Sequence, residues 1–242
     1  MFNYIWHTFF FDPIYNGLVF FIDVIPKGDV GLAIIATVII VKTILLPLSI
    51  KAAKTQRIMR EIEPKLKEIK ETLKDKREEQ ARAMMDVYSK AGINPLASVV
   101  LIFLQIPIVI ALYFSVSTGG GIVLPEINTN LLYSFVKVPE FVSMNFIGIV
   151  DITSRSFVLA ALAGVTQYFQ VKVSMPPLPP RDPNAAPSLK DDFARNMQLQ
   201  MRYVMPVVIF GLAYAVAASI ALYFFVSNMV AIIQEFYVRK HR

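Results

Sequence analysis

Two runs in this chain are too long and too apolar for the interior of a small soluble domain. Residues 31–50 (GLAIIATVIIVKTILLPLSI) contain one charge, Lys42, and residues 96–116 (LASVVLIFLQIPIVIALYFSV) contain none. A helix of about 20 residues rises about 30 Å, the thickness of a bilayer's hydrocarbon core, and it satisfies its backbone polar groups within the segment. A third run, 157–173, is shorter and more polar (FVLAALAGVTQYFQVKV). A fourth, 203–236, would rise about 51 Å as one helix and must therefore turn back. The small residues Ala215, Ala217, Ala218 and Ser219 are the place for that turn. Only 17% of residues are charged, against about one quarter in a soluble domain.

Charge sets the expected topology. Of 24 Lys and Arg, twelve lie in 51–90, four at Arg181, Lys190, Arg195 and Arg202, and three at Arg239, Lys240 and Arg242. Residues 1–30 and 117–156 hold only Lys27, Lys137 and Arg155. Cytoplasmic loops carry the excess of Lys and Arg. The expectation is an all-α membrane protein of five transmembrane helices (31–50, 95–116, 157–174, 203–217, 219–236), N-terminus outside and C-terminus cytoplasmic. An extracytoplasmic segment (1–30) precedes them, and an extracytoplasmic loop (117–156) and a short basic tail (237–242) complete the outline. In the first segment Ile14, Leu18, Phe21 and Ile25 recur at helical spacing before Pro26 and Gly28, which reads as an interfacial helix. No Lys or Arg precedes that run, so a signal peptide is not expected.

Two cytoplasmic loops differ in kind. Residues 51–94 carry an apolar stripe (Ile58, Ile62, Leu66, Ile69, Leu73), a charged break at 75–79, and a second set, Ala81, Met84, Met85 and Tyr88. This reads as a helical hairpin that could recruit a partner, or as a solvated connector. Residues 175–202 hold Pro176, Pro177, Pro179, Pro180, Pro183 and Pro187 and read as a flexible linker.

Lys42 is the anomaly. It lies near mid-membrane, where a cation costs about 2.5–3.5 kcal/mol on insertion scales. No span carries Asp or Glu in its interior; Glu235 falls in the last turn of the fifth. Water, lipid phosphate or a passing substrate could receive its charge. Snorkelling is the alternative, but Lys51 marks the interface about 13 Å of helix away, beyond a lysine stem. Gln105 beside Pro107, then Thr166, Gln167 and Gln170, then Tyr223, Ser227 and Asn228, could complete a wet cavity with it; each alone could equally bond neighbouring helices. With no Cys, no mid-span His, no HExxH helix and no GxxxxGK[ST], neither catalytic residues, a metal, a cofactor nor a nucleotide cradle is expected.

Four stretches resemble the YidC membrane protein insertases and their mitochondrial and chloroplast relatives: VIIVKTILLPLS (38–49), MMDVYSKAGINPLASVVLIFLQIPIVIALYF (84–114), GVTQYFQVKVS (164–174) and MPVVIFGLAYAVAASIALYFFVSNMVAIIQE (205–235). The resemblance implies a five-span core around a polar groove closed on the outside, a substrate-recruiting hairpin after span one, and no enzymatic activity. It puts Lys42 at the groove cation, arginine in many members; Gln170 at a polar groove position; and Phe224 at an aromatic that touches substrate. The chain departs in using Lys for Arg, which loses the bidentate fork, and in reading Ala-Ala-Ser before span five. It has the look of a short form, without a large outer domain or a long ribosome-binding tail.

The function expected on this basis is insertion of nascent membrane proteins in the inner membrane of a bacterium, through a groove that also includes Gln105, Gln167, Tyr223 and Asn228. Substrate proteins and the lipid bilayer are the expected partners, with the ribosome and a Sec-type translocon as candidates and no direct reading of nucleic acid. A small-solute transporter or channel subunit is the alternative, although no inverted repeat is visible. A membrane-tethered scaffold working through the hairpin is another.

Overall fold

The computed structural model describes residues 2–93, 96–175 and 196–240. The proline-rich linker (Pro176 to Pro187) and the last two residues of the basic tail lie outside the described residues. The chain divides into two compact units, Thr43–Ile106 and the remainder, Met1–Lys42 with Pro107–Arg242.

The larger unit begins with continuous helical backbone. Helix α1 (Phe2–Trp6) passes through a π-helical turn (His7–Phe11) into α2 (Asp12–Val24). Asp12 and Pro13 suit the first turn of α2, and Pro26 limits it beyond Ile25. Helix α3 (Val30–Ile44) follows. The sequence predicts one helix over 31–50, but the chain breaks at Leu45 and restarts as α4 (Leu46–Glu61). The reason is Pro47: it has no N–H for the carbonyl of Thr43, and its ring crowds the preceding turn.

In the smaller unit α4 is followed by α5 (Glu63–Thr72) and α6 (Arg77–Lys90). Pro64 fits only the first turn of a helix, so α5 starts anew there. A turn after Leu73 folds α6 back toward α5. The Gln80 amide closes it, donating to the carbonyls of Lys70 (3.1 Å) and Leu73 (3.3 Å) at the end of α5. The unit also holds the first part of α7 (Leu96–Ser117), which runs on through Pro107.

Three helices pack side by side in the larger unit: α8 (Phe157–Ser174), α9 (Met205–Val216) and α10 (Ala218–Lys240). Small residues permit the approach. Ala160, Ala163, Ala213, Ala218 and Ala221 are buried. A Cβ on Gly164 would lie 3.0 Å from the Cβ of Phe210 and 3.1 Å from the Pro206 carbonyl. The chain leaves helical geometry at Ala217, inside the small-residue run, and Ala218 starts the next helix. Before α9 the helical backbone reaches back to Asn196, into the stretch the sequence assigns to a loop. By length and composition, Asn196–Val216 and Ala218–Lys240 are each sufficient to cross a membrane, and Val30–Ile44 with Leu46–Met59 reach that length and composition together, as a pair bent by 60°. The molecule is an all-α membrane protein among its described residues, apart from one two-residue hairpin.

That hairpin belongs to the long segment after α7, which the sequence presents only as a loop. Asn145–Phe146 pairs with Val150–Asp151. The segment is fastened at several places. Asn16 on α2 donates to the Leu131 carbonyl (2.8 Å) and accepts from the Tyr133 N–H (2.6 Å). Asp29, the cap of α3, accepts from Leu32 N–H (3.0 Å) and Ile147 N–H (2.6 Å), while Val30 and Ser143 bond through their backbones. Finally the N–H groups of Ala218 and Ser219, at the start of α10, donate to the carbonyls of Ser154 and Ile152. Free N–H groups at a helix start need such acceptors. Phe11, Tyr15, Val19 and Val136 form a buried cluster beneath the segment, bordered by Trp6, Ile127, Leu131 and Leu132.

Candidate functional site

Helix α8 positions Thr166, Gln167 and Gln170 among the candidate polar residues. Ser156 caps it, accepting from the Leu159 N–H. Three and four residues apart, side chains share a helix face. Gln167 therefore donates to Gln170 (3.4 Å), and Gln170 donates to the Ser174 hydroxyl (3.1 Å), forming a polar ladder along the last turns. Both glutamines are half-buried. Next to Gln167, Thr166 is buried, its hydroxyl donating to the carbonyl of Leu162 (2.7 Å).

Helix α10 supplies the facing set. Asn228 is buried, and its amide donates across to the Ala163 carbonyl (3.3 Å) and to the Thr166 hydroxyl (3.4 Å). These bonds join polar residues singled out on two different runs. Tyr223 is also buried, and its hydroxyl makes no hydrogen bond of good geometry among the described residues, although Ser227 stands one turn on. The rings of Tyr223 and Phe224 meet edge to face at 5.5 Å, and Phe224 is half-buried. At the far end of α10, Arg239 bonds Glu235 and the Val173 carbonyl of α8, tying the basic ends of the two helices together.

Lys42 lies in the last turn of α3, half-buried, three residues before the break at Leu45. Gln105 stands on α7 in the smaller unit, also half-buried. Of the hairpin residues, Leu66 is buried; Ile58, Ile62, Met84 and Tyr88 are half-buried; Met85 is 65% exposed. Adjacent residues on a helix point 100° apart, so Met84 and Met85 do not share a face.

Sequence reasoning missed a second polar set, Tyr15, Asn16, Asp29 and Asn128. The Asn128 N–H donates to the Tyr15 hydroxyl (2.8 Å). Burial pushes that hydroxyl's pKa up, and the Asn128 bond pulls it partly back. Asp151, near the base of the hairpin, is held below the usual carboxylate range chiefly by the Thr153 hydroxyl and N–H, with the Ser154 hydroxyl adding to it. The available signal was a lone Asn inside the apolar run that begins at Ile14.

The family model described as "60Kd inner membrane protein" matches residues 21–242. The chain is 31% identical over 241 residues to "Membrane protein insertase YidC" of Oceanobacillus iheyensis, covering 98% of this chain and 84% of that protein. It is 31% identical over 226 residues to the protein of the same name from Shewanella woodyi and 27% identical over 214 residues to that from Francisella philomiragia. These matches cover 93% and 88% of this chain but only 36% and 33% of those relatives. The family is not one of enzymes, and with the apolar helices it places the chain among bacterial inner-membrane proteins. The chain belongs to the 60Kd inner membrane protein family.

Proposed function

We propose that this protein inserts nascent membrane proteins into the bilayer through a polar groove, without hydrolysing a nucleotide. The name carried by its relatives supports the reaction class. The observation that carries the reading for this chain is the ladder Gln167–Gln170–Ser174 along the last turns of α8. Amides at such depth are costly against hydrocarbon and belong beside water or other polar groups. In this reading the five spans are those the sequence outlines, with the N-terminus outside and the C-terminus in the cytoplasm. Lys42 attracts acidic residues of the short tail that must cross. Gln167 and Gln170 keep the path wet and so shorten the hydrophobic barrier. The substrate's apolar segment passes the half-buried Phe224 and leaves sideways into lipid beside spans three and five, driven by its own transfer. The α5–α6 pair serves recruitment through residues such as the exposed Met85 and the half-buried Met84. Ribosome and Sec-type translocon are candidate partners.

The test is reconstitution with a single-span substrate whose translocated tail is either acidic or neutral. Lys42→Ala removes one charge–charge attraction, worth on the order of 1 kcal/mol in a wet site, or about fivefold in rate. Insertion of the acidic-tailed substrate falls by that factor, the neutral one is unaffected, and Lys42→Arg restores the acidic case. Equal insertion of the acidic tail by the wild type and Lys42→Ala would sink the electrostatic role.

A further inference from the structure

The hairpin at 145–151 has a turn that ordinary sequence rules do not explain. Its central residues Ile147 and Gly148 both have positive φ, +49° and +75°. Ile149 and Gly148 N–H groups close back on the carbonyls of Phe146 and Asn145. That is the pattern of a type I′ turn, where Asn-Gly is the favoured pair. A β-branched residue at positive φ is an outlier and persists only where its surroundings hold it. Here the Asp29 carboxylate holds the Ile147 N–H at 2.6 Å. Yet the side chain so placed is not buried: Ile147 is 57% exposed and Ile149 is 78% exposed. In a water-facing loop such an arrangement would bring strain and no burial.

The hydrogen bonds fix where this tip sits. Its turn end is fastened to Asp29, whose other oxygen caps the first turn of α3. Its base is fastened to Ala218 and Ser219, the first residues of α10. A hairpin pinned at the starts of two apolar helices lies at the depth where those helices enter the membrane. Phe146 packs against Gly31, where an added Cβ would come within 2.4 Å of its ring. Exposed Leu32, whose N–H shares the Asp29 carboxylate with the Ile147 N–H, adds apolar surface at the start of α3. Exposed cations, Lys27 and Arg155, adjoin the two junctions and match the charge of lipid phosphates.

We propose that the 145–151 hairpin is a lipid-contacting element: Ile147 and Ile149 insert at the boundary between headgroups and acyl chains of the leaflet that covers the starts of α3 and α10. This rests on reading α3 and α10 as membrane spans. The Asp29 carboxylate is the device that holds the strained turn at that depth, and the exposed isoleucines gain from lipid what water would deny them.

The chain has no cysteine, so single spin labels can be placed without other changes. Full-length protein carrying Ile149→Cys, Ile40→Cys or Asn130→Cys is labelled, reconstituted in vesicles of mixed phosphatidylethanolamine and phosphatidylglycerol, and power-saturated with oxygen and with a water-soluble nickel chelate. Exposed Ile40 on α3 is the reference within a span, and exposed Asn130 the reference for the 118–156 segment. The label at 149 is expected to favour oxygen several-fold more than the label at 130, and less than the label at 40. A water-like ratio at 149 beside a lipid-like ratio at 40 would overturn the proposal while leaving the spans intact. A water-like ratio at 40 would instead overturn the spanning reading and the hairpin proposal with it. An immobilised label at 149 that neither reagent reaches would mean that protein covers the tip, and would also overturn it. Asp29→Asn leaves one acceptor oxygen for the two N–H groups of Leu32 and Ile147 and gives a ratio between those at 40 and 130; Asp29→Ala frees the turn and moves the ratio toward that at 130, and an unchanged ratio in Asp29→Ala would overturn Asp29's part.

Discussion

Asn16 offers the sharpest test of how the segment after α7 is held. It is 2% exposed, and its amide makes two of the long-range bonds between α2 and that segment, the Tyr15 hydroxyl accepting a third from the Asn128 N–H. Asn16→Leu keeps the side-chain size and removes both. The Leu131 carbonyl and Tyr133 N–H then lose their partners, at about 1–3 kcal/mol for a fully buried group and less where water reaches. About 2–3 kcal/mol in total is a reasonable expectation, or about 30- to 150-fold in the opening equilibrium. Tyr133 itself is a poor reporter, because its N–H loses its acceptor directly. The Asn128 N–H is better: it bonds the Tyr15 hydroxyl, which the substitution does not touch. Hydrogen exchange in the opening-limited equilibrium regime reads local unfolding at that amide. If the segment opens as one unit, Asn128 exchanges faster in Asn16→Leu by roughly the factor above. Acceleration at Tyr133 with none at Asn128 would refute the reasoning, since the two fastenings would then be independent. A double-mutant cycle with Tyr15→Phe measures the same coupling.

Two further outcomes follow from close contacts and from charge. Gly164→Ala forces α8 from Phe210 and Pro206 and should lower thermal stability in detergent by about 1–3 kcal/mol, whereas Gly211→Ala, with open space at its Cβ, should be neutral or stabilising; equal melting temperatures would contradict this. Asp151 has a folded pKa below its unfolded value of about 3.9, so its stabilisation is fully present above that pH and is lost as pH falls through the folded value; Asp151→Asn should flatten stability in that acid range and leave the pH 6–8 range level, and an unaltered acid limb would refute the role of its hydrogen bonds.

Apolar run length made the helical membrane class readable, because the cost of unbonded backbone in lipid leaves few alternatives. Local stereochemistry explains the details. Pro47 and Pro64 each begin a helix, and Pro47 divides what hydropathy alone shows as one span. The same proline signal at Pro107 did not end a helix, since neighbouring turns can absorb one missing bond. The segment 118–156 was opaque for a different reason. Its order comes from single long-range hydrogen bonds, Asn16 to Leu131 and Asp29 to Ile147, and from a buried cluster assembled across more than a hundred residues. No periodicity encodes such pairings. A lone Asn in an apolar helix signals only that something must satisfy it.

For the candidate site the sequence supplied residue types and helix faces but not how their polar atoms are used. The Asn228 amide is bonded across to Ala163 and Thr166, so its Oδ1 is the polar atom it can still offer. A buried amide between helices holds them together by about 0.5–2 kcal/mol, and small residues at 160, 163 and 221 let the backbones come close enough for it. Gln167 and Gln170 differ: their bonds run along one helix, each donating toward Ser174, and neither is spent on joining α8 to another element through those contacts. A polar path needs groups that can exchange partners with water or a passing chain without unfastening the bundle. By that criterion the α8 ladder is the better candidate for substrate-facing chemistry, and the Asn228–Thr166 pair is the fixed frame beside it. Asn228→Leu should therefore weaken the α8–α10 packing before it alters insertion, while Gln170→Leu should slow insertion at unchanged stability. If both variants lowered melting temperature and insertion together, frame and path would not be separable in this way.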